Sequence, residues 1–356
     1  MRRSAKRRPK AKADGASALR IGDTAVQPGE RRVVELPVAA LYTHATPLHL
    51  PVHVVRGKHD GPRLFLTAAL HGDELNGVEI IRRVLNHEAL QQLRGSIVAV
   101  PVVNAFGMLQ HSRYLPDRRD LNRSFPGSPT GSLAARIAYL LLEQVVKQCE
   151  YGIDLHTGSS HRTNLPQIRA DLGDADTLKM ASSFGVPVLI NASGRDGSLR
   201  SEAMAVGVRM LLYEAGEALR YDEFGIRVGV DGIVNVLRSL GMIRGRRRPP
   251  QKPFMAQSSS WIRAPSSGIV ITHTKLGAHV VAGDTLAEIC DPSDFFDGQT
   301  EPVTAAATGV IIGCTRLPLV NEGDALFHIA RFDDVEGVAA ELANFQQDVF
   351  DPENQY

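Results

Sequence analysis

The sequence predicts an α/β protein: a mixed central sheet with helices on both faces, followed by a small all-β barrel-sandwich domain. Three features carry this expectation. From about residue 30 to residue 243, short apolar runs alternate with stretches whose apolar residues recur at helical spacing. A stretch rich in Arg, Pro and Ser, residues 244–260, then breaks the pattern. Beyond the break, two copies of a short β unit follow one another.

Taken in order, residues 1–20 are expected to be a disordered basic tail, because residues 1–12 hold seven Lys or Arg and no acid. Short strands are expected between Arg31 and Arg56, in VVELPVAAL and LHLPVHVV. RLFLTAAL, residues 63–70, is an apolar run of the length of a buried strand. It ends at HGDELNG and passes into the helical pattern VEIIRRVLNHEAL. SIVAVPVVN is the next strand, and LAARIAYLLLEQVVKQC reads as a helix. YGIDLHTG, residues 151–158, is a short strand with a polar end. VPVLINA and VRMLLYEAG are further strands, and VNVLRSLGMI closes the region as a helix. This makes 21–246 one large domain and 247–260 a linker.

The repeat begins at Ala264 and again at Ala305. Gly268 matches Gly309, Leu276 matches Leu317, Gly283-Asp284 matches Gly323-Asp324, and Ile289 matches Ile329. Two such units with Gly-Asp turns suggest a quasi-symmetric β sandwich over 261–332, similar to the barrels of lipoyl and biotinyl carriers. Carriers place their modified lysine in the turn between the halves. Here Lys275 is the last lysine and lies inside the first half. The domain is therefore expected to be architectural or substrate-gating. Residues 333–356 read as an acidic tail, partly helical at most.

Composition is that of a globular protein, 43% hydrophobic and 22% charged over 356 residues, with a net charge of +1. No apolar stretch approaches the roughly 20 residues needed to cross a bilayer, and no apolar segment follows the basic N-terminus. Cys149, Cys290 and Cys314 are scattered and form no CxxC. A soluble, cytoplasmic protein is expected, with no membrane or nucleic-acid partner. The sequence leaves a homo-oligomer open.

The chemistry starts at HGDE, residues 71–74. A His and an acid three apart at the end of a buried strand can aim at one point, and zinc accepts imidazole nitrogen together with carboxylate oxygen. His156 ends a second apolar strand, and open α/β sheets build their sites at the carboxyl ends of strands. Asp154 is placed to orient a ligand. The loop RYLPDRRDLNRSFPG, residues 113–127, carries Arg113, Arg118, Arg119, Asn122 and Arg123, a set suited to a small anionic substrate. In LLYEAGE, Glu214 follows an apolar run and can move a proton to and from a reacting water, with Glu217 close enough to compete.

HGDE, DLNRSFPG, DLH and a strand ending in Glu, in this order, resemble the succinylglutamate desuccinylase/aspartoacylase family of the zinc carboxypeptidase superfamily. The resemblance covers roughly residues 30–245. It implies a zinc carboxypeptidase-like fold and one Zn²⁺ per chain on His71, Glu74 and His156. It implies Glu214 as general base and Asn122 and Arg123 as grips for a substrate carboxylate. It also implies an upstream Arg that polarises the scissile carbonyl: Arg113 is preferred and Arg118, otherwise a substrate-binding residue, is its rival. The activity implied is hydrolysis of the amide, or ester, bond of a small N-acyl amino acid. A metallocarboxypeptidase acting on short peptides and a non-catalytic binding protein are the alternatives.

Overall fold

A computed structural model describes residues 18–40, 47–192, 194–245, 253–293 and 299–350. Most of the expected basic tail therefore lies outside the described residues. The larger, N-terminal part contains strands β1 (Arg31–Ala40), β2 (Pro47–Arg56), β3 (His59–Ala68), β4 (Arg94–Val100), β5 (Tyr151–Gly158), β6 (Arg162–Ala170), β7 (Val188–Asn191) and β8 (Arg209–Glu217). Its main helices are α1 (Asn76–Leu85), α2 (Leu133–Gln144), α3 (Ala175–Phe184), α4 (Leu199–Ala205) and α5 (Glu223–Ser239). In the sheet β4, β3, β5 and β8 run parallel and adjacent, in that order. Antiparallel strands flank them, β2 and β1 on one side and β6 on the other. The mixed sheet expected from the sequence is present.

Alternation along the strands builds two cores. Leu64, Leu66 and Ala68 of β3 pack with Ile97, Ala99, Ile153 and Leu155 beneath α1, α3 and α5. Phe65 points the other way and joins Val98 and Val100 beneath α2 and α4. A parallel strand covered on both faces reads as a continuous apolar run, which is why RLFLTAAL was legible. Helix starts are set by side chains that accept a backbone N–H: Ser132 for α2, Asp174 for α3, Ser198 for α4 and Asp222 for α5.

Two departures from the expected organisation follow. Residues 247–252 of the expected linker lie outside the described residues, but most of its remainder is strand. β9 (Phe254–Ala256) pairs in parallel with β7, and β10 (Ser258–Arg263) begins the C-terminal region. Its Ser-rich start carries no apolar alternation, so the sequence gives no strand signal there. The expected acidic tail is helical from Val335 to Phe350 (α6), and 351–356 lie outside the described residues.

The C-terminal region is antiparallel β. β11 (Gly268–Thr272) pairs with β12 (Thr285–Cys290), which pairs with β13 (Thr300–Thr304). β14 (Gly309–Thr315) pairs with β15 (Ala325–Arg331), which pairs with β10. The two repeat copies show equivalent chemistry. Val270 faces Ile289 and Ile311 faces Ile329. The Val281 N–H donates to Asp284 at 2.7 Å and the Asn321 N–H donates to Asp324 at 2.8 Å, fixing the two Gly-Asp turns. The sheet of β10, β15 and β14 is continuous with the large mixed sheet, because β14 pairs with β6: Gly313 faces Asn164 and Thr315 faces Arg162. Among the described residues, no helix is long and apolar enough to cross a membrane.

His328 on β15 stacks flat on Trp261 of β10, with ring centroids 4.7 Å apart. Burial, helped by the charge of Arg169, pushes its pKa down to about 3 from an ordinary 6.5. The folded state thus keeps His328 neutral where the unfolded chain protonates it. The stability this contributes is complete above pH 6.5 and is lost as pH falls from there toward 3. The loss should be about 1 kcal/mol per pH unit. His328→Phe, which keeps the stack, should flatten the fall in melting temperature between pH 6.5 and 4. An unchanged slope in the variant would show that another group governs acid sensitivity.

Candidate metal centre and active site

The site forms where β3, β5 and β8 end. After Ala68 the chain turns through Ala69, whose φ of 46° is left-handed, and carries His71 to Glu74 across the strand ends into α1. Gly72 is needed in this turn, since a Cβ there would lie 2.0 Å from the Gly107 carbonyl carbon. On β5, Asp154 and His156 point to the same side, two residues apart. Glu214 of β8 lies beside His156 in register.

Three side chains meet here, all at most 4% exposed. Glu74 Oε1 is 2.7 Å from His71 Nδ1, and Glu74 Oε2 is 2.7 Å from His156 Nδ1. One donor atom from each of the three falls within 4.8 Å of the others. Both imidazoles turn Nδ1 to this point and Nε2 to a carboxylate behind. His156 Nε2 is 2.7 Å from Asp154 Oδ2, and Asp154 Oδ1 accepts from the Thr67 hydroxyl at 2.7 Å. His71 Nε2 is 3.3 Å from Asp120 Oδ1. A carboxylate on one ring nitrogen holds the proton there and frees the other nitrogen's lone pair, the usual support of a metal-binding histidine. The donor set, two imidazoles and a carboxylate, fits a catalytic zinc.

The electrostatics agree. Burial opposes charge on His71 and His156, but nearby carboxylates and their hydrogen bonds outweigh it and raise both pKa values. Burial alone would raise the Glu74 pKa, yet the two imidazoles hold its carboxyl well below the usual range. Asp120 behaves likewise, lowered by His71 and Arg113 against its own burial. The cluster is a concentrated charge system of the kind a cation orders.

Asp120 also accepts from Arg113 Nη2 at 2.9 Å and Nε at 3.2 Å, which leaves Arg113 Nη1 beside the triad, 3.1 Å from His71 Nδ1 and 3.4 Å from Glu74 Oε1. Arg118 sits in the turn between Leu115 and Arg119 with φ 60°, is exposed, and is not among the side chains lining the cavity. Asn122 Oδ1 accepts from the Leu199 N–H at 2.9 Å, so its Nδ2 is the amide atom offered to the cavity. Arg123 donates to the Asn122 carbonyl. Glu214 Oε2 accepts from Asn164 Nδ2 at 2.7 Å, and Oε1 lies 3.6 Å from Arg169 Nε. Glu214 lines the cavity and Glu217 does not; a bulge with Gly216 at φ 73° lies between them.

The cavity over the triad encloses about 280 Å³. Six arginines line it, Arg113, Arg123, Arg162, Arg169, Arg195 and Arg200, against the carboxylates of Glu74, Asp154 and Glu214. Burial and the charge of Arg169 lower the Arg200 pKa. Trp261 from the C-terminal region forms part of the wall, with the Arg162 guanidinium 5.4 Å from its ring centroid. Sequence reasoning missed Asp120, Asn164, Arg169, Arg195, Arg200, Arg162 and Trp261. An acid two residues before Asn122 and the chain's single Trp were the available signals.

A mixed α/β sheet thus gathers a buried His-Glu-His triad, a set able to hold a metal ion, at the carboxyl ends of its parallel strands. Residues 60–240, just over half the chain, match the succinylglutamate desuccinylase/aspartoacylase catalytic domain. The chain belongs to that family. It is 26% identical over 294 residues to an N-alpha-acetyl-L-2,4-diaminobutyric acid deacetylase of Halomonas elongata, covering 79% of this chain and 85% of the relative. Among solved structures, a succinylglutamate desuccinylase/aspartoacylase from Rhodobacter sphaeroides superposes with a TM-score of 0.75 at 25% identity, over 85% of this chain and 95% of that one. The ectoine utilization protein EutE (DoeB) from Ruegeria pomeroyi, in a product-bound structure, shares the fold with a TM-score of 0.76 at 22% identity, over 85% and 94% of the two chains.

Proposed function

We propose that this chain is a zinc-dependent deacylase that hydrolyses the amide bond of a small N-acyl amino acid, with an ester able to react at the same site. The observation that carries the reading is the buried triad of His71, Glu74 and His156 sharing one cavity with Glu214. The deacetylase relative supports the deacylase class, and a cavity of about 280 Å³ suits a metabolite better than an extended peptide. Three scattered free thiols agree with a cytoplasmic location.

His71, Glu74 and His156 would hold one zinc per chain. When bound, zinc supplies a Lewis acid that polarises the scissile carbonyl and makes water acidic enough, with a pKa of about 7, to lose a proton near neutrality. Glu214 takes that proton on Oε1, since Oε2 is engaged by Asn164, and later delivers it to the departing nitrogen. Arg113, anchored through Asp120, directs Nη1 at the negative charge that develops on the carbonyl oxygen. Asn122 and Arg123 receive the free carboxylate of the amino-acid half. The products are a carboxylic acid and an amine.

The carboxylate grip makes a substrate-dependent prediction. Arg123 is exposed in the structure, so the bound substrate must bury the contact; with that, Arg123→Ala should cost about 2–5 kcal/mol in kcat/KM on an N-acyl amino acid. It should cost much less on the matching amide, which has no carboxylate to grip. Arg113→Ala should slow both alike. Equal losses on acid and amide for Arg123→Ala would remove the amino-acid half of the assignment and leave the hydrolysis standing.

A further inference from the structure

The catalytic sheet does not stop at the catalytic half. A transverse row of paired residues crosses it from the C-terminal region: Trp261 faces His328, His328 faces Gly313, and Gly313 faces Asn164. Asn164 in turn donates to Glu214 at 2.7 Å. The row thus ends on the carboxylate assigned as base.

Gly313 is the informative member. Its backbone is not in the left-handed region, so conformation does not require glycine. Space does. A Cβ at 313 would lie 2.7 Å from Asn164 Oδ1 and 3.3 Å from His328 Cβ. The nearer atom is the far end of a side chain, so the strand could keep its pairing only if the Asn164 amide swung away. That swing would move Nδ2 off Glu214. The same strand braces the loop that joins β5 to β6: the Arg316 N–H donates to the His161 carbonyl at 2.6 Å, and the Thr315 hydroxyl donates to it at 3.2 Å.

We infer that the C-terminal β region is a working part of the active site: β14, through the space left at Gly313, sets the Asn164 amide against Glu214 and makes Asn164 a positioning residue for the base. This rests on the reading of Glu214 as general base. The hydrogen bond fixes Oε2, while Oε1 lies 3.6 Å from Arg169 Nε. Without the amide only the longer contact to Arg169 orients the carboxylate, and the proton transfer loses its geometry.

The test is a double-mutant cycle in the full-length zinc-loaded protein, read by kcat and KM separately, with zinc content and melting temperature measured for each variant. Asn164→Ala should lower kcat about 10–100-fold, the loss of one charge-assisted hydrogen bond, and leave KM within about threefold. Gly313→Ala should lower kcat in the same direction with zinc retained. Because both changes act on one contact, Gly313→Ala/Asn164→Ala should be no slower than Asn164→Ala alone. The double variant also removes the steric conflict, so it reports even where Gly313→Ala folds poorly. Glu214→Gln is run beside them. Loss in Glu214→Gln with Asn164→Ala within about twofold of wild type would overturn the positioning role and leave the base. Additive losses from Gly313→Ala and Asn164→Ala would overturn the route through β14. A fully active Glu214→Gln would overturn the base and the inference with it.

Discussion

Glu214→Gln should lower kcat by about 10²–10⁴ while zinc content and fold are retained. The change is nearly isosteric. The amide oxygen can still accept from Asn164, as Oε2 does at 2.7 Å, so the strand and its neighbour keep their geometry. What is lost is a group able to hold a proton between the water and the leaving nitrogen. Glu217→Gln should have little effect, because that side chain does not line the cavity. The measurement is kcat for both variants on one N-acyl amino acid. Loss in Glu217→Gln and none in Glu214→Gln would reverse the assignment.

His71→Ala should empty the metal centre and abolish turnover. Removing it leaves Glu74 and His156 as the donors of the triad, too few for a site that needs three protein ligands. Elemental analysis after dialysis should fall from about one zinc per chain to near zero. Asp120→Asn should act more mildly. Asp120 lies behind His71 and anchors Arg113, so its loss should weaken metal affinity by about 10–100-fold rather than end it. If His71→Ala retains stoichiometric zinc, the metal is held elsewhere.

The cluster of His71, Glu74 and His156 was legible in the sequence because each of its parts closes an apolar strand. RLFLTAAL leads into HGDE and YGIDL leads into His156, and buried parallel strands announce themselves by their continuous apolar character. β6 was not legible for the opposite reason. Its sequence, RTNLPQIRA, carries a proline in mid-strand and sets Asn164 and Arg169 against the cavity. A strand that forms the wall of a polar cavity loses the apolar alternation by which strands are found, and Pro166 argues against a strand as well. Pro166 is tolerated where the pairing of β6 with β8 shifts register, between Asn164 and Gln167. Asp120 was hidden inside DRRD, which reads as a solvated basic loop until folding places it behind His71. Trp261 was hidden by distance, since it is the pairings of β14 with β6 and of β9 with β7 that bring the C-terminal region to the site. Arg113 and Arg118 could not be separated by spacing; the turn at Leu115–Arg119 separates them by leaving Arg118 exposed.

The most direct test of the account is one hydrolysis assay on a panel of N-acyl amino acids, run with the protein as purified, stripped by chelator, and reloaded with zinc. The expected result is release of free amino acid from at least one member of the panel, loss of that activity on stripping, and its return at about one zinc per chain. Activity that survives complete removal of the metal would contradict the account at its centre.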